Sequence, residues 1–149
     1  MIGNPGTGKT HLMTSLDLKA CRLSYKVLFK TATTLASELR EAHDNYQVRK
    51  MEKAIAGTDL LLLDELSYAS FTLKESELLF KVIAERAEKT STEITTNLEF
   101  SRWTEMFSND TLVVALVDRL TYHSSVLNMN GTFLPSAKPD KELNWLTLS

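Results

Sequence analysis

Gly3-Asn4-Pro5-Gly6-Thr7-Gly8-Lys9-Thr10 is the stretch on which the fold of this chain turns. It fits G-x-x-x-x-G-K-[ST], and each position has a chemical reason. Glycines let successive backbone N–H groups turn inward around phosphate oxygens. The helix that follows aims its positive end at the same anion. Lys9 is placed to reach the β- and γ-phosphates, and the Thr10 hydroxyl to ligate Mg²⁺. Gly3, Asn4, Pro5, Gly6, Thr7, Gly8, Lys9, Thr10 and His11 are therefore the nucleotide-binding candidates. A plain glycine-rich turn before a helix is the bland alternative.

Downstream, strand and helix patterns alternate. Leu12, Leu16 and Leu23 recur at helical spacing, so a helix is expected from about Lys9 to Leu23. Tyr25 to Thr31 reads as a strand. Thr33 or Thr34 caps the next helix, with Glu38 as its capping-box acid and Leu35, Leu39 and Ala42 on its apolar face. Val48, Met51 and Ile55 mark a helix over Tyr46–Ala56, stopped by Gly57. Asp59 to Asp64 is a leucine run ending in acid, the pattern of a parallel strand buried on both faces. Leu73 to Lys89 is amphipathic, with Leu78, Leu79, Val82 and Ile83 toward the core. Thr92 to Thr96 is strand-like, Trp103, Met106 and Phe107 anchor a short helix, and Leu112 to Leu120 forms another. Ser125 to Met129 is a last short strand. This alternation predicts an α/β fold with a parallel sheet.

The leucine run places Asp64 and Glu65 at the C-terminal end of its strand, where open α/β sheets bind ligands. Asp64 suits the Mg²⁺ shell, and Glu65 suits the polarisation of a water attacking the γ-phosphate. Adjacent Asp-Glu favours hydrolysis over phosphoryl transfer to a metabolite. Asn97, ending Thr95-Thr96-Asn97, is placed to sense the γ-phosphate or the attacking water. Its bland alternative is a strand-end turn residue.

Composition narrows the classes. The chain has 149 residues, enough for one domain. Its 43% hydrophobic and 24% charged residues are ordinary for a folded protein. A net charge of −2 excludes a polybasic protein, though not a local basic face. Such a face exists in sequence: Arg49, Lys50 and Lys53 lie opposite Val48, Met51 and Ile55. The single cysteine, Cys21, excludes an internal disulfide and fits a cytoplasmic setting. No apolar run approaches the roughly 20 residues of a membrane span, so no membrane role is expected.

Gly3 to Leu12, Asp59 to Leu66, and Ile94 to Trp103 with Asp118-Arg119-Leu120 together resemble the IstB-like ATPases of insertion sequences. Those are AAA+ P-loop proteins close to the DnaC helicase loaders and DnaA initiators. The resemblance implies a P-loop NTPase domain over residues 1–132, with 133–149 as a C-terminal tail. It implies ATP and Mg²⁺ as cofactors, a homo-oligomer on DNA, and a transposase as partner. It also implies that Arg119 is an arginine finger acting on a neighbouring subunit's nucleotide. Read from the residues alone, Arg119 is better taken as an intrahelical or surface ion-pair partner. In the related initiators and loaders a helix placed like Tyr46–Ala56 faces nucleic acid, which gives Arg49, Lys50 and Lys53 a role.

The sequence departs from that pattern in three places. An apolar central strand should precede the phosphate loop, and only Met1 and Ile2 stand there, so the first central strand is expected to be largely missing and the chain to be N-terminally truncated. Gly131-Thr132-Phe133-Leu134 carries no basic residue where a second sensor Arg is often found. Glu93 replaces an apolar strand residue, a costly choice if it is buried unpartnered. Two other functions stay open: a non-hydrolysing remnant acting as an interaction fragment, and a DnaC-like helicase loader.

Overall fold

The computed structural model describes residues 1–68, 70–122 and 124–131. Its elements follow in the order α1 (Lys9–Arg22), β1 (Val27–Thr31), α2 (Ala32–Asp44), α3 (Val48–Ala56), β2 (Leu60–Asp64), α4 (Leu73–Ala87), β3 (Ser91–Ile94) and α5 (Asp110–Tyr122). Short 3₁₀ turns cover Leu66–Tyr68 and Phe100–Glu105. The strands form one parallel sheet in the order β1-β2-β3. Thr31 pairs with Asp64, and Leu63 with Ile94, so the strands end level with one another.

The leucine run sits in the middle of this sheet. Leu61, Leu62 and Leu63 are fully buried, as expected for a strand covered on both faces. Leu61 and Leu63 join the main core with Leu35 and Leu39 of α2, Leu79 and Ile83 of α4, and Leu116 of α5. Leu62 alternates to the opposite face, where α1 lies against β1 and β2. Trp103, Met106 and Phe107 close the main core at its α5 end. Phe107 stacks on Phe71 with centroids 5.2 Å apart.

Several local expectations are corrected. The buried side of α1 is Met13 and Ala20, whereas Leu16 and Leu23 are exposed. Strand β1 runs directly into α2, so the cap is Thr31 rather than Thr33 or Thr34; its hydroxyl accepts from the Thr34 N–H at 3.2 Å. Glu38 caps nothing and instead receives Lys30 Nζ at 2.6 Å. A full capping box does occur on α4: Glu75 N–H donates to Thr72 Oγ1 and the Glu75 carboxylate accepts from Thr72 N–H at 2.9 Å. Met106 and Phe107 follow the Phe100–Glu105 turn rather than lying in a helix.

The expected strand over Ser125–Met129 is reduced to one bridge. Ile2 pairs in parallel with Thr96 on one side and Asn128 on the other. Ile2 N–H donates to Leu127 O at 2.8 Å, Met129 N–H to Ile2 O at 2.7 Å, and Thr96 N–H to Met1 O at 3.0 Å. Residue 2 thus holds the position between β3 and the 127–129 segment, and the phosphate loop departs from it. Toward the other end of the sheet, a cleft of about 80 Å³ separates β3 from Ser124–Val126, lined by Glu93, Ile94, Trp103 and Leu120. Glu93 is 26% exposed at this cleft and lies 3.4 Å from the Met1 ammonium.

Arg86 braces the end of the sheet remote from the phosphate loop. Its guanidinium, 3% exposed, donates to Ile55 O, Thr58 O, Thr58 Oγ1, Thr92 Oγ1 and Ser91 O. Among the described residues, no helix is long and apolar enough to cross a membrane. The C-terminal tail, 133–149, and the Thr132–Leu134 part of the second-sensor position lie outside the described residues.

Candidate functional site

The C-terminal ends of the strands and the start of α1 enclose a cleft of about 320 Å³. Pro5, Gly6, Gly8, Lys9, Thr10 and His11 line one wall, and Asp64, Glu65, Thr95, Thr96 and Asn97 the other. Residues separated by more than fifty positions in sequence therefore meet in one place. Gly3, Asn4 and Thr7 do not line the cleft.

The loop's shape explains its glycines. Gly6 and Gly8 have φ of 78° and 86°, the left-handed region that side chains disfavour. A Cβ on Gly3 would approach both Met129 Cβ and Thr7 Oγ1 at 3.1 Å. Thr7 Oγ1 donates to Asn4 O at 2.9 Å, and Asn4 N–H to Asn130 Oδ1 at 2.7 Å, which anchors the loop on the 127–131 segment. Gly8 caps α1 without a side chain, and the first turn of α1 has no acid. Its leading N–H groups are thus left for an outside acceptor, at a helix end that favours negative charge.

Lys9 sits in that turn, where a cation opposes the helix dipole. Its Nζ donates to Gly3 O at 2.6 Å and Asn4 O at 2.8 Å, with Thr7 Oγ1 at 3.4 Å. It is only 8% exposed, and burial pushes its ammonium below the usual lysine range, while the Asp64 carboxylate partly opposes the shift. A buried cation held by loop carbonyls, beside a bare helix N-terminus, is a fit for phosphate oxygens.

On the opposite wall, Asp64 is 3% exposed and accepts the Thr95 hydroxyl at Oδ1. Glu65 N–H donates to the same Oδ1 at 3.1 Å and to Thr95 Oγ1 at 3.0 Å. Glu65 is exposed and has φ of 59°, a left-handed backbone that costs a non-glycine residue about 1–2 kcal/mol. Leu66 N–H donates to Thr95 O and Thr95 N–H to Leu63 O, at 3.1 and 3.0 Å. Asn97 lines the cleft, with its N–H donating to Ser67 Oγ at 2.7 Å. Among the described residues no cluster of three or more His, Cys, Asp or Glu forms a ready-made metal cage. Asp64 and Thr10 line the same cleft and could offer one carboxylate and one hydroxyl to a cation such as Mg²⁺, which commonly takes its remaining ligands from water and phosphates.

Arg119 is elsewhere. It projects from α5, half-exposed, and donates to Glu88 Oε1 at 3.1 Å. It lies with Ala87, Asp118 and Tyr122 around a separate surface depression, outside the cleft. Sequence reasoning quotes Thr95 without giving its hydroxyl a role and does not reach Ser67. The Thr-Thr-Asn run after a strand was the available signal for Thr95; the Ser67–Asn97 contact joins two loops and had none.

Residues 1–137 match the family described as IstB-like ATP binding protein. The chain is 35% identical over 131 residues to a Pseudomonas aeruginosa protein named for insertion sequence IS21 and ATP binding, covering 88% of this chain and 49% of that one. A Geobacillus stearothermophilus protein similarly named for insertion sequence IS5376 is 35% identical over 130 residues, 87% of this chain and 52% of its own length. The chain thus spans about half the length of these relatives. Among solved structures, AMPPCP-bound DnaA from Aquifex aeolicus superposes with a TM-score of 0.67 at 23% identity, over 78% of this chain and 36% of that one. DnaI gives 0.72 at 17% identity, covering 85% and 70% of the two chains. The DnaC helicase loader gives 0.64 at 22% identity, covering 79% and 72%. At such identities the structural likenesses establish the fold alone, a parallel α/β sheet flanked by helices as in the DnaA, DnaI and DnaC structures, and the sequence match establishes descent: the chain belongs to the family of IstB-like ATP-binding proteins.

Proposed function

We propose that this domain binds ATP with Mg²⁺ and hydrolyses it, as part of an accessory protein of DNA transposition. One observation carries the reading: a single cleft is lined by Lys9, Thr10, Asp64, Glu65 and Asn97, from three separate stretches of the chain. Lys9 would exchange the Gly3 and Asn4 carbonyls for β- and γ-phosphate oxygens, which relieves the penalty of a buried, unpaired cation. The α1 N-terminus would take the remaining phosphate charge. Thr10 and Asp64 would hold Mg²⁺, which when bound supplies charge neutralisation across the phosphates. Glu65, exposed at the mouth of the cleft, would accept a proton from the attacking water, and Asn97 would orient that water or the γ-phosphate.

The wider reading rests on the relatives and on surface charge. Proteins named for insertion sequences are 35% identical, against 22% for the DnaC loader, which favours transposition over helicase loading. A DnaA neighbour is described as bound to AMPPCP and single-stranded DNA. Arg49, Lys50 and Lys53 are exposed on α3 and make no ion pair among the described residues, while Glu52 is taken by Lys81 at 2.9 Å. That leaves a basic face suited to DNA phosphates. Arg119, outside the cleft of its own subunit, is suited to complete a neighbour's site in a homo-oligomer, with a transposase as the downstream partner.

The test is Glu65→Gln. ATP should bind with affinity within about threefold of the parent, and turnover should fall about 10²-fold, the upper range for a positioned base. Unchanged turnover would remove Glu65 from the mechanism.

A further inference from the structure

We infer that Thr95 is a positioning residue for the two acidic groups of the cleft, acting through its hydroxyl; the inference rests on the nucleotide-hydrolysis reading for its consequence, though not for its geometry. Thr95 is 1% exposed and follows the last residue of β3. It makes four hydrogen bonds to four consecutive residues of the neighbouring segment. Its N–H donates to Leu63 O, its hydroxyl donates to Asp64 Oδ1, the same hydroxyl oxygen accepts from Glu65 N–H, and its carbonyl accepts from Leu66 N–H. The two backbone bonds continue the sheet, and any residue could make them. The two hydroxyl bonds need Ser or Thr.

Those two bonds have separate effects. Donation to Oδ1 fixes the Asp64 carboxylate by one oxygen, and Oδ2 has no hydrogen bond among the described residues, so it remains available to a metal. Acceptance from Glu65 N–H satisfies the backbone of a residue held at a φ of 59°. A left-handed residue persists only where its surroundings over-determine it. Here the determinants are Thr95 Oγ1 and Asp64 Oδ1, both bonded to one N–H. The turn sends the main chain from the buried strand to the Leu66–Tyr68 turn and leaves the Glu65 side chain at the cleft. One hydroxyl thus sets where the metal-binding oxygen and the water-activating carboxylate stand relative to each other. Asp64 ends β2 and Glu65 follows it, while Thr95 follows the end of β3, so the hydroxyl also ties the two strand ends that form this wall.

The experiment compares Thr95→Val, which keeps the β-branched shape and removes the hydroxyl, with Thr95→Ser, which keeps the hydroxyl. Three quantities are measured on each: steady-state ATP turnover, affinity for the Mn²⁺–ATP complex, and amide hydrogen exchange at Glu65 without nucleotide. The Val protein should lose about tenfold or more in kcat, with KM for ATP within about threefold. It should also exchange the Glu65 amide at least tenfold faster. The Ser protein should stay within about threefold of the parent in all three. Equal losses in both variants would show that the methyl group's packing matters and the hydroxyl does not, overturning the inference. Parent-like exchange and kcat in the Val protein would overturn it as well. If the parent binds Mn²⁺–ATP without turning it over, the hydrolysis reading fails, and faster Glu65 exchange in the Val protein alone, with the Ser protein like the parent, would still support the positioning role.

Discussion

Replacing Lys9 with Met separates the lysine's two tasks. The substitution keeps the apolar stem and removes an ammonium that now donates to Gly3 O at 2.6 Å and Asn4 O at 2.8 Å. Hydrogen bonds from a charged donor contribute about 1.5–3 kcal/mol each. Burying the cation costs several kcal/mol, a penalty visible in its lowered pKa. The opposing effects should nearly cancel, leaving the ligand-free protein within about 1 kcal/mol of the parent. The nucleotide complex has no such cancellation. Losing an ammonium–phosphate bond of about 2–3 kcal/mol weakens binding by about 30- to 150-fold. Titration with ATP–Mg²⁺ measures that change directly. Melting with and without ATP checks it: at a concentration 100 times the parent's Kd, ligand stabilisation of about 2.7 kcal/mol should shrink to under a third in the variant. The charge also makes a pH signature. The folded-state pKa lies below the ordinary 10.5, so the unfolded chain holds more protons between the two values. The parent's penalty is complete below the folded-state pKa, and its stability relative to Lys9→Met rises as pH climbs through that value toward 10.5. Equal ATP affinity in the two proteins would refute the phosphate assignment, and a relative stability that falls with rising pH would refute the burial argument.

Two further outcomes are expected. Arg119→Ala should leave nucleotide affinity within about twofold and cost at most about 1 kcal/mol in stability, because its pair with Glu88 is exposed. Turnover at concentrations that permit assembly should nevertheless fall at least about 10³-fold if the residue is a finger, and a parent-like rate would leave it a surface ion pair. Changing Arg49, Lys50 and Lys53 together to Gln should flatten the slope of log K for DNA against log salt by about 2–3; an unchanged slope would move the DNA contact off α3.

How legible these features were depends on whether neighbours in sequence determine them. Leu61–Leu63 announced a doubly covered strand because burial on both faces leaves no polar alternation to confuse with a helix. The phosphate loop was legible because its glycines answer to local backbone geometry at Gly6 and Gly8. The cap of α2 was misread because Thr31 is both the last residue of β1 and the helix cap, so no loop composition marks the boundary. Leucines at helical spacing located α1, but which of its residues are covered, Met13 and Ala20, depends on the sheet it packs against. The partners of Arg119, Glu38 and Thr95 come from other elements, and periodicity says nothing about which elements meet.

The position of residue 2 bears on the order in which the molecule assembles. The contact from Met1 N to Ile94 O spans 93 residues and that from Asn4 N–H to Asn130 Oδ1 spans 126, whereas the Thr95–Glu65 bond spans 30. Chain closure costs about 0.6 kcal/mol more for each doubling of loop length, and long-range contacts slow folding. The acidic wall of the cleft can therefore form with the β2–β3 pair, early and from nearer partners. The phosphate loop is fixed only when both ends of the described chain close on the sheet. Formation of the phosphate site then waits on that closure, and a phosphate ligand binding at Gly3–Thr10 acts on its least local step. In this protein a nucleotide would be a clamp on chain closure as well as a substrate.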